Sequence, residues 1–328
     1  MRTVFVDRYG GPEVLRVGEA ERPAPGPGQV LVRVRAFSVN GGELAARAGE
    51  VRLLTGRRFP QRTGLDFTGE VAALGSGTAG IAVGDRVWGV MGRTSGFGSA
   101  AEYVAVPANR IGLVPDGLDL VEAAALPVGT TAVTALRDKA RLRPGERLLV
   151  RGAAGGVGRL LVRGAAGGVG NIAVQLAKAH GAHITGLARA ANLDFVRELG
   201  ADEVVDHRAV RLDELGRFDV VLDTVGTQLA DYRRLLRPGG RMVTIAFDLS
   251  RPVASLASIA ASAVHGRSRV RFFSGNPQRG LLDDIAQHVL RGDLRPVVDT
   301  VYPLAAIADA HRALEAGGVR GKFVVRVD

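Results

Sequence analysis

The sequence predicts an α/β protein in which a doubly wound parallel sheet is joined to a second, β-rich domain. Up to about residue 120, short apolar strands follow one another and are separated by Gly and Pro turns. Beyond that point strands alternate with helical periods, which is the pattern of a parallel sheet with helical crossovers. The third observation is a tandem repeat: RLLVRGAAGGVG occupies 147–158 and again 159–170.

Composition sets the class of the protein and excludes several functions. A chain of 328 residues with 46% hydrophobic residues and 45 glycines is typical of a globular α/β protein of two domains. The net charge of +10 comes almost entirely from scattered arginines with no interleaved aromatics, so we predict no nucleic-acid partner, although the positive field favours anionic ligands. The absence of cysteine excludes disulfides, thiolate nucleophiles and Cys-based zinc sites.

The sequence contains no pattern expected for insertion into a membrane. Its start, MRTVFVDRYGG, lacks a long apolar segment. No other stretch approaches the roughly 18 uninterrupted apolar residues that a membrane span requires. We therefore expect a cytoplasmic protein without a membrane partner.

Residues 1–120 are predicted to form the β-rich domain, a partly open barrel. Turn clusters such as Pro25-Gly26-Pro27-Gly28 separate its strands. The strand-like segments are TVFV, VLRV, QVLVRVRAFSV, DFTGEVAAL, DRVWGV, AEYVAV and RIGLV.

Residues 121–274 are predicted to form the doubly wound parallel sheet, with six strands and helical crossovers. The strand-like segments are LLVRG, HITGLAR, EVVDH, FDVVLDTVG, GRMVTIA and RVRFFS. In such a sheet the ligand lies above the carboxyl ends of the strands, at the switch point of the strand order. Residues 275–328 add a strand, a helix and a strand that this sheet does not need, so we assign them to the first domain.

The glycine-rich turn before the helix NIAVQLAKAHGA predicts a dinucleotide site. Gly164, Gly167 and Gly170 form a GxxGxxG variant between a strand and this helix. Amides at a helix start donate hydrogen bonds and carry partial positive charge, and glycine allows phosphates to approach closely. The predicted contacts are Gly167, Gly168, Val169 and Gly170. The alternative is a tight strand-helix turn without a ligand.

The duplication leaves open which copy forms the central strand. Copy two leads directly into the apolar helix, whereas copy one leads into RLLVR, so we expect copy two to supply both strand and turn. The twelve extra residues would then leave the sheet at its lower edge, after Arg143-Pro144-Gly145-Glu146, and binding would survive. In the rival hypothesis copy one is the strand, the insertion lies at the upper edge, and cofactor binding fails.

A set of motifs spread over nearly the whole chain resembles one known family. The motifs are RYGGPEVL, SVN at 38–40, GLDFTGEV at 64–71, VGDRVWG at 83–89, GAAGGVG, LGADEVVDH at 199–207, FDVVLDTVG, LRPGGRMVTIA and GVRGKFVVRV. Their order and spacing resemble the zinc-independent, quinone-oxidoreductase-like branch of the medium-chain dehydrogenase/reductase family. The resemblance implies a chaperonin-10-like (GroES-like) catalytic domain around a Rossmann domain, a homodimer, and a cofactor in the cleft between the domains.

The same resemblance indicates that this chain has no catalytic zinc. Zinc members carry Cys within the motif that here is Val39-Asn40-Gly41, and His within Gly64-Leu65-Asp66. Both ligand positions are changed, to Asn40 and Leu65, and the four-cysteine loop for structural zinc is missing too. We therefore predict no metal.

The end of the second predicted strand indicates NADPH rather than NADH. An acidic residue about twenty positions after the glycines would bind the ribose 2′-hydroxyl of NAD, but the sequence has Arg189 there. A guanidinium suits a 2′-phosphate because it forms charge-assisted, bidentate hydrogen bonds. By resemblance, Arg189 takes the place of a basic phosphate-binding residue and His207 that of a tyrosine at the same phosphate. The alternatives are a solvated arginine and an ordinary loop histidine.

Further site residues are implied by the resemblance alone. Asn40 borders the nicotinamide and the substrate and is the candidate catalytic residue, with a structural turn asparagine as the alternative. Thr131 approaches the cofactor, and backbone near Ala246 and Phe272 lines its nicotinamide half. Lys322 either faces the cleft or caps a strand.

The predicted reaction is hydride transfer from NADPH to a quinone or to a conjugated enone or enal. Such substrates accept hydride without a metal as Lewis acid, and since no general acid stands out, we expect water to supply the proton. One alternative is an enoyl-thioester reductase, whose domains share the AxGGVG loop. Another is a catalytically weak NADPH-binding module that acts as a sensor or scaffold.

Overall fold

The computed structural model describes residues 1–92, 97–152, 167–248 and 252–328. It divides into two compact units: residues 1–130, 276–315 and 322–328 form the first, and residues 131–275 and 316–321 form the second. The sequence places the first boundary at residue 120. In the structure the first unit extends ten residues further, to residue 130, since the short helix that starts at Leu120 packs on strands of that unit.

The described strands are β1 (Arg2–Val6), β2 (Leu15–Glu19), β3 (Gln29–Ser38), β4 (Gln61–Arg62), β5 (Asp66–Leu74), β6 (Arg86–Val90), β7 (Tyr103–Pro107), β8 (Ile111–Leu113), β9 (Arg147–Arg151), β10 (His183–Ala188), β11 (Glu203–Asp206), β12 (Phe218–Asp223), β13 (Leu236–Thr244), β14 (Val270–Phe272), β15 (Val298–Pro303) and β16 (Lys322–Arg326).

The described α-helices are α1 (Gly41–Ala48), α2 (Arg52–Thr55), α3 (Leu120–Ala123), α4 (Gly129–Val133), α5 (Gly167–Ala179), α6 (Leu193–Glu198), α7 (Leu229–Arg233), α8 (Pro252–Ala261), α9 (Arg279–Leu290) and α10 (Ile307–Ala316). Within the described ranges, none of them combines the length and the apolarity needed to cross a bilayer.

The first unit is built on a β-sheet that joins both ends of the chain. Its strands lie in the order β15-β16-β3-β5-β6-β8, with β7 also paired to β3, and a smaller sheet has the order β2-β1-β4. Strand β3 buries residues on both of its faces, including Phe37, and Phe67 on β5 and Trp88 on β6 are likewise fully buried. The C-terminal strand β16 pairs antiparallel with β3, with Val324 opposite Ser38. Segments far apart in the sequence thus form one sheet, as predicted for a GroES-like domain.

The second unit is the predicted Rossmann-type sheet. Its six described strands are all parallel in the order β11-β10-β9-β12-β13-β14. Because helices cover a parallel sheet on both sides, the middle of its central strand β9 is apolar, and Leu148, Leu149 and Val150 are completely buried. The strand order reverses between β9 and β12, so the carboxyl ends of these two strands mark the switch point.

The central strand comes from the first copy of the repeat, and the expectation that copy two supplies it is wrong. The turn before β9 is bonded to the sheet: the Gly145 amide donates to the Gly181 carbonyl (2.8 Å), and the Arg147 amide donates to Asp219 Oδ2 (2.9 Å). The chain therefore enters the sheet at residue 147, with no room for twelve extra residues between turn and strand. Sequence reasoning missed this because it required strand and helix to come from the same copy.

Helix α5 comes from the second copy. It begins at Gly167 and buries Val169, Ile172 and Leu176 against β9 and β10. Since β9 is copy one and α5 starts within copy two, the twelve additional residues fall in the connection between them. That connection, residues 153–166 including Gly164, lies outside the described residues.

The identical copies provide a matched test of the strand assignment. Leu149→Ala removes a completely buried side chain of β9, so we expect the free energy of unfolding to fall by about 2–5 kcal/mol. Urea denaturation measures it, and Leu161→Ala, the same substitution in copy two, is the control. A larger loss at 161 than at 149 would show that copy two forms the strand.

Candidate active site

The first turn of α5 contains the four residues predicted to bind the cofactor phosphates. Gly167, Gly168, Val169 and Gly170 are the first four residues of this helix of 13 residues. The first four amides of a helix have no acceptor within it, and the helix dipole adds partial positive charge there. Asn171 Nδ2 donates to the Gly168 carbonyl (3.0 Å), which ties the turn together. This turn can accept an anionic group.

Gly152, at the end of β9, is the first glycine of this site. Its φ of +83° is in the left-handed region, and a Cβ there would overlap Thr224 Oγ1. Thr224 Oγ1 in turn donates to the Arg151 carbonyl (2.9 Å). Only glycine fits at this position. Sequence reasoning placed Gly164 here because it assigned the strand to copy two.

A buried ion pair, which sequence reasoning missed, lies at the switch point. Arg151 Nη1 donates to Asp223 Oδ1 (3.0 Å), and Asp223 is completely buried at the end of the neighbouring strand β12. Asp223 Oδ2 also accepts from the Gly226 amide (2.7 Å) and from Thr244 Oγ1 (2.8 Å). The guanidinium of Arg151 stacks on Tyr232, 4.1 Å from the ring centroid. Together these contacts fix the turn after β12 to the ends of β9 and β13.

Ala246 and Phe272 lie at the same edge of the sheet. Gly226 has a φ of +84°, and a Cβ there would come within 2.7 Å of the Ala246 carbonyl carbon. Phe247, the residue after Ala246, makes an edge-to-face contact with the ring of Phe272 at a centroid distance of 5.3 Å. The structure thus brings the ends of β12, β13 and β14 together around the two predicted positions.

Arg189 and His207 are neighbours at the ends of β10 and β11. The two strands pair in parallel with Ala188 opposite Asp206, so residues 189 and 207 follow at matching positions. His207 Nδ1 donates to the Ala188 carbonyl (2.7 Å), which leaves Nε2 available. The half-buried Arg189 guanidinium has no hydrogen bond or ion pair with any residue in the described ranges. Two polar side chains are therefore available at this corner.

Thr131 belongs to α4 and is the first residue of the second unit. Its side chain is half-buried.

Asn40 is the centre of a buried polar cluster in the first unit. Its Nδ2 donates to Glu43 Oε1 (3.0 Å), to Asp66 Oδ2 (3.0 Å) and to the Ser38 carbonyl (3.1 Å). Its Oδ1 accepts from Lys322 Nζ (2.7 Å). All of these residues are buried, so every polar group of the Asn40 carboxamide has a partner within the protein.

Burial changes the ionisation of the charged members of this cluster. Burial, together with the nearby Asp66 carboxylate, raises the pKa of Glu43 to about 8. Burial lowers the pKa of Lys322, against the opposing effect of Asp66 and Glu43. Lys322 is 2% exposed, and it is the first residue of β16. Glu43 is a residue that sequence reasoning missed, although it lies three positions after Asn40 on the first turn of α1.

The cluster does not fit a zinc ion. Asn40 and Leu65 stand at the two ligand positions, and no group of three or more His, Cys, Asp or Glu residues suited to a metal occurs among the described residues. A lysine ammonium, which repels a metal ion, contacts Asn40 instead.

Comparison with known proteins shows which family has this architecture. Residues 26–116 match the family model of the alcohol dehydrogenase GroES-like domain, and residues 199–325 match that of zinc-binding dehydrogenases. The chain is 30% identical over 345 residues to quinone oxidoreductase of Rattus norvegicus, covering 99% of this chain and 97% of the relative. It is 30% identical over 361 residues to the mitochondrial NAD(P)H oxidoreductase RTN4IP1 of Danio rerio, covering 98% and 90%.

Solved structures with the same fold agree with these sequence matches. The quinone oxidoreductase of Coxiella burnetii superimposes with a TM-score of 0.86 at 28% identity, covering 100% of this chain and 99% of that one. A mycobacterial protein complexed with NADPH superimposes with a TM-score of 0.79 at 26% identity, covering 99% of both chains. Fold and site therefore define an oxidoreductase of the medium-chain dehydrogenase/reductase family. Within that family the chain belongs to the zinc-independent, quinone-oxidoreductase-like branch.

The raised pKa of Glu43 predicts a stability that falls with pH. The protonated carboxyl is favoured in the folded state, so its contribution is fully present below the ordinary pKa of 4.5 and is lost as pH rises through about 8. Between pH 5 and 9 we expect the melting temperature of the wild type to fall relative to that of Glu43→Gln. Asp66 and Lys322 are present in both proteins, so the difference between the two curves reports the removal of the Glu43 carboxyl group.

Glu203→Gln is the control for this measurement. The pKa of Glu203 is lowered, chiefly by a hydrogen bond from Thr185, so Glu203→Gln should change the melting temperature by the same amount at every pH between 5 and 9. Parallel curves for wild type and Glu43→Gln would show that Glu43 is ionised throughout.

Proposed function

We propose that the protein is an NADPH-dependent, zinc-independent reductase that transfers hydride to a quinone or to a conjugated enone or enal. The observation that carries the cofactor choice is the corner formed by Arg189 and His207. An NAD-binding sheet has a carboxylate at the end of this strand, whereas here it has a guanidinium without a partner in the described ranges. A 2′-phosphate would supply the missing partner. The NADPH-bound structural neighbour supports this choice.

The remaining cofactor contacts follow from the edge of the sheet. Gly152 and the amides of residues 167–170 would hold the diphosphate, because the first amides of α5 have no acceptor within the helix and lie at the positive end of its dipole. The turn fixed by Asp223, with Ala246 and Phe272, would line the nicotinamide half. When bound, the cofactor supplies the hydride from C4 of its nicotinamide.

Asn40 remains the candidate residue beside the nicotinamide and the substrate. Its amide hydrogens already have acceptors in Glu43, Asp66 and the Ser38 carbonyl, so it would position the reactants rather than donate a proton. Thr131 is proposed to approach the cofactor.

The proposed substrate class follows from the lack, among the described residues, of metal ligands that could activate the carbonyl oxygen of a substrate. The residues at the zinc positions do not ligate a metal, so the substrate must itself be electrophilic enough to accept hydride, as quinones and conjugated enones are. The relatives named quinone oxidoreductases support this class. Water is proposed as the source of the proton.

Assembly as a homodimer, implied by the family, is tested by light scattering on the purified chain.

Turnover with two classes of acceptor, and a blank without acceptor, tests the activity. NADPH oxidation is followed with 1,4-benzoquinone or 9,10-phenanthrenequinone, with crotonyl-CoA, and without acceptor. Activity with the quinones supports the proposal, and activity with crotonyl-CoA alone indicates an enoyl-thioester reductase. Tight NADPH binding without any turnover indicates a binding module.

Arg189→Ala is expected to weaken NADPH binding by roughly 10- to 100-fold and to leave NADH binding nearly unchanged. Hydrogen bonds to charged groups contribute about 1.5–3 kcal/mol, which corresponds to that factor. Calorimetric titration measures both affinities. Arg197→Ala, on α6, is the control because Arg197 is exposed and paired with Asp194. An equal loss of affinity for NADPH and NADH would show that Arg189 does not recognise the 2′-phosphate.

Deletion of residues 153–164 is expected to tighten NADPH binding more than about tenfold, or 1.4 kcal/mol. The extra residues fall in the connection that must run beside the diphosphate, and the deletion joins Gly152 directly to Ala165, which restores the spacing Gly152, Ala165, Ala166, Gly167. Because the copies are identical, every deletion of twelve consecutive residues within 147–170 yields the same protein. Unchanged affinity would mean that the insertion does not affect the diphosphate site.

A further inference from the structure

The polar cluster of the first unit contains a lysine whose role neither the fold nor the proposed reaction accounts for. Glu43 is 1% exposed, Asp66 is 1% exposed and Lys322 is 2% exposed, and they come from α1, β5 and β16. Charges this deeply buried are costly unless they are paired and hydrogen-bonded. The cluster must therefore balance its own charge.

The ammonium of Lys322 is held as a bound cation would be. Nζ lies 2.7 Å from Asn40 Oδ1 and 2.9 Å from the Val39 carbonyl oxygen. The Asp66 and Glu43 carboxyl groups add their negative field. Pairing of β16 with β3 and a bond from the Lys322 amide to the Val297 carbonyl (3.0 Å) fix the base of the side chain. The ammonium thus sits against oxygen atoms with two acidic groups nearby.

The Lys322 ammonium occupies the surroundings in which related proteins hold a metal ion. By resemblance, zinc members carry metal ligands at the positions of Asn40 and Leu65, whereas here the Lys322 ammonium contacts Asn40. We propose that Lys322 is a built-in cation that takes the place of a metal ion in this cluster. It balances the negative charge of the acidic pair, in which Glu43 is held protonated at neutral pH, and fixes the Asn40 carboxamide with Oδ1 toward the ammonium and Nδ2 toward the carboxyl groups.

The proposal makes Lys322 a positioning residue, acting through Asn40. Without the ammonium, the Asn40 oxygen loses its donor and the acidic pair loses its counter-charge. What remains is an oxygen-lined space with excess negative charge, which is a site for an external cation. A small primary amine that matches the deleted part of the side chain should occupy it.

The test is chemical rescue of Lys322→Ala by n-propylammonium, which replaces the deleted Cγ, Cδ, Cε and Nζ. We expect the variant to melt at a lower temperature than the wild type, and added n-propylammonium to raise that temperature in proportion to the logarithm of its concentration. The uncharged 1-propanol should have no such effect.

Lys178→Ala is the matched control. Lys178 also pairs with a carboxylate, Asp202 at 2.6 Å, but it is half exposed. Lys178→Ala should show neither a large loss of melting temperature nor rescue by n-propylammonium. Equal rescue of both variants, or no rescue of Lys322→Ala by the amine, would overturn the proposal.

A charge-balance cycle keeps the proposal testable if Lys322→Ala does not fold. Lys322→Met keeps the length of the side chain and removes the charge, and Asp66→Asn removes the opposing charge. The double variant should lose less melting temperature than the sum of the single variants. Additive losses would show that the ammonium does not neutralise the acidic pair.

Only the activity readout rests on the proposed function. There, Lys322→Ala should lower kcat while NADPH affinity, set by the second unit, is retained, and the amine should restore kcat. If no acceptor supports turnover in the wild type, the proposed function fails, but the thermal rescue and the cycle still decide the role of Lys322.

Discussion

The parallel pairing of β9 between β10 and β12 is the interaction on which the rest of the structure depends. It places the end of β9 at the point where the strand order reverses, with Arg151 and Gly152 beside Asp223 and Thr224. Every element of the candidate cofactor site follows from that placement, because the neighbouring strands end at the same edge. The ion pair between Arg151 and Asp223 adds a connection across the edge that hydrogen bonds of the sheet alone do not provide.

The tandem repeat shows how a duplicated segment can be divided between two roles. The first copy supplies the strand and the second supplies the helix start, so neither copy forms the strand-turn-helix unit alone. Local propensity cannot distinguish two identical sequences. Only the anchoring of the turn at 143–146 to the sheet does, and that anchoring depends on Gly181 and Asp219, far away in the sequence.

The sequence predicts features that depend on local patterns, and it does not predict those that depend on contacts between distant residues. The change of period near residue 120 and the apolar strands predict the two sheets, because burial on one or both faces leaves a pattern in the residues themselves. Positions such as Arg189 and 167–170 follow from their distance to a strand end or a helix start. The contacts of Asp223 with Arg151, and of Asn40 with Glu43 and Lys322, depend on side chains brought together by topology, and no local pattern announces them.

We propose that the first turn of α5 binds the diphosphate of NADPH. Hydrogen exchange at the amides of Gly167, Gly168, Val169 and Gly170, measured with and without NADPH, is the decisive experiment. We expect slower exchange at these four amides when NADPH is bound. Binding of NADPH that leaves their exchange unchanged, while protecting amides elsewhere, would contradict it.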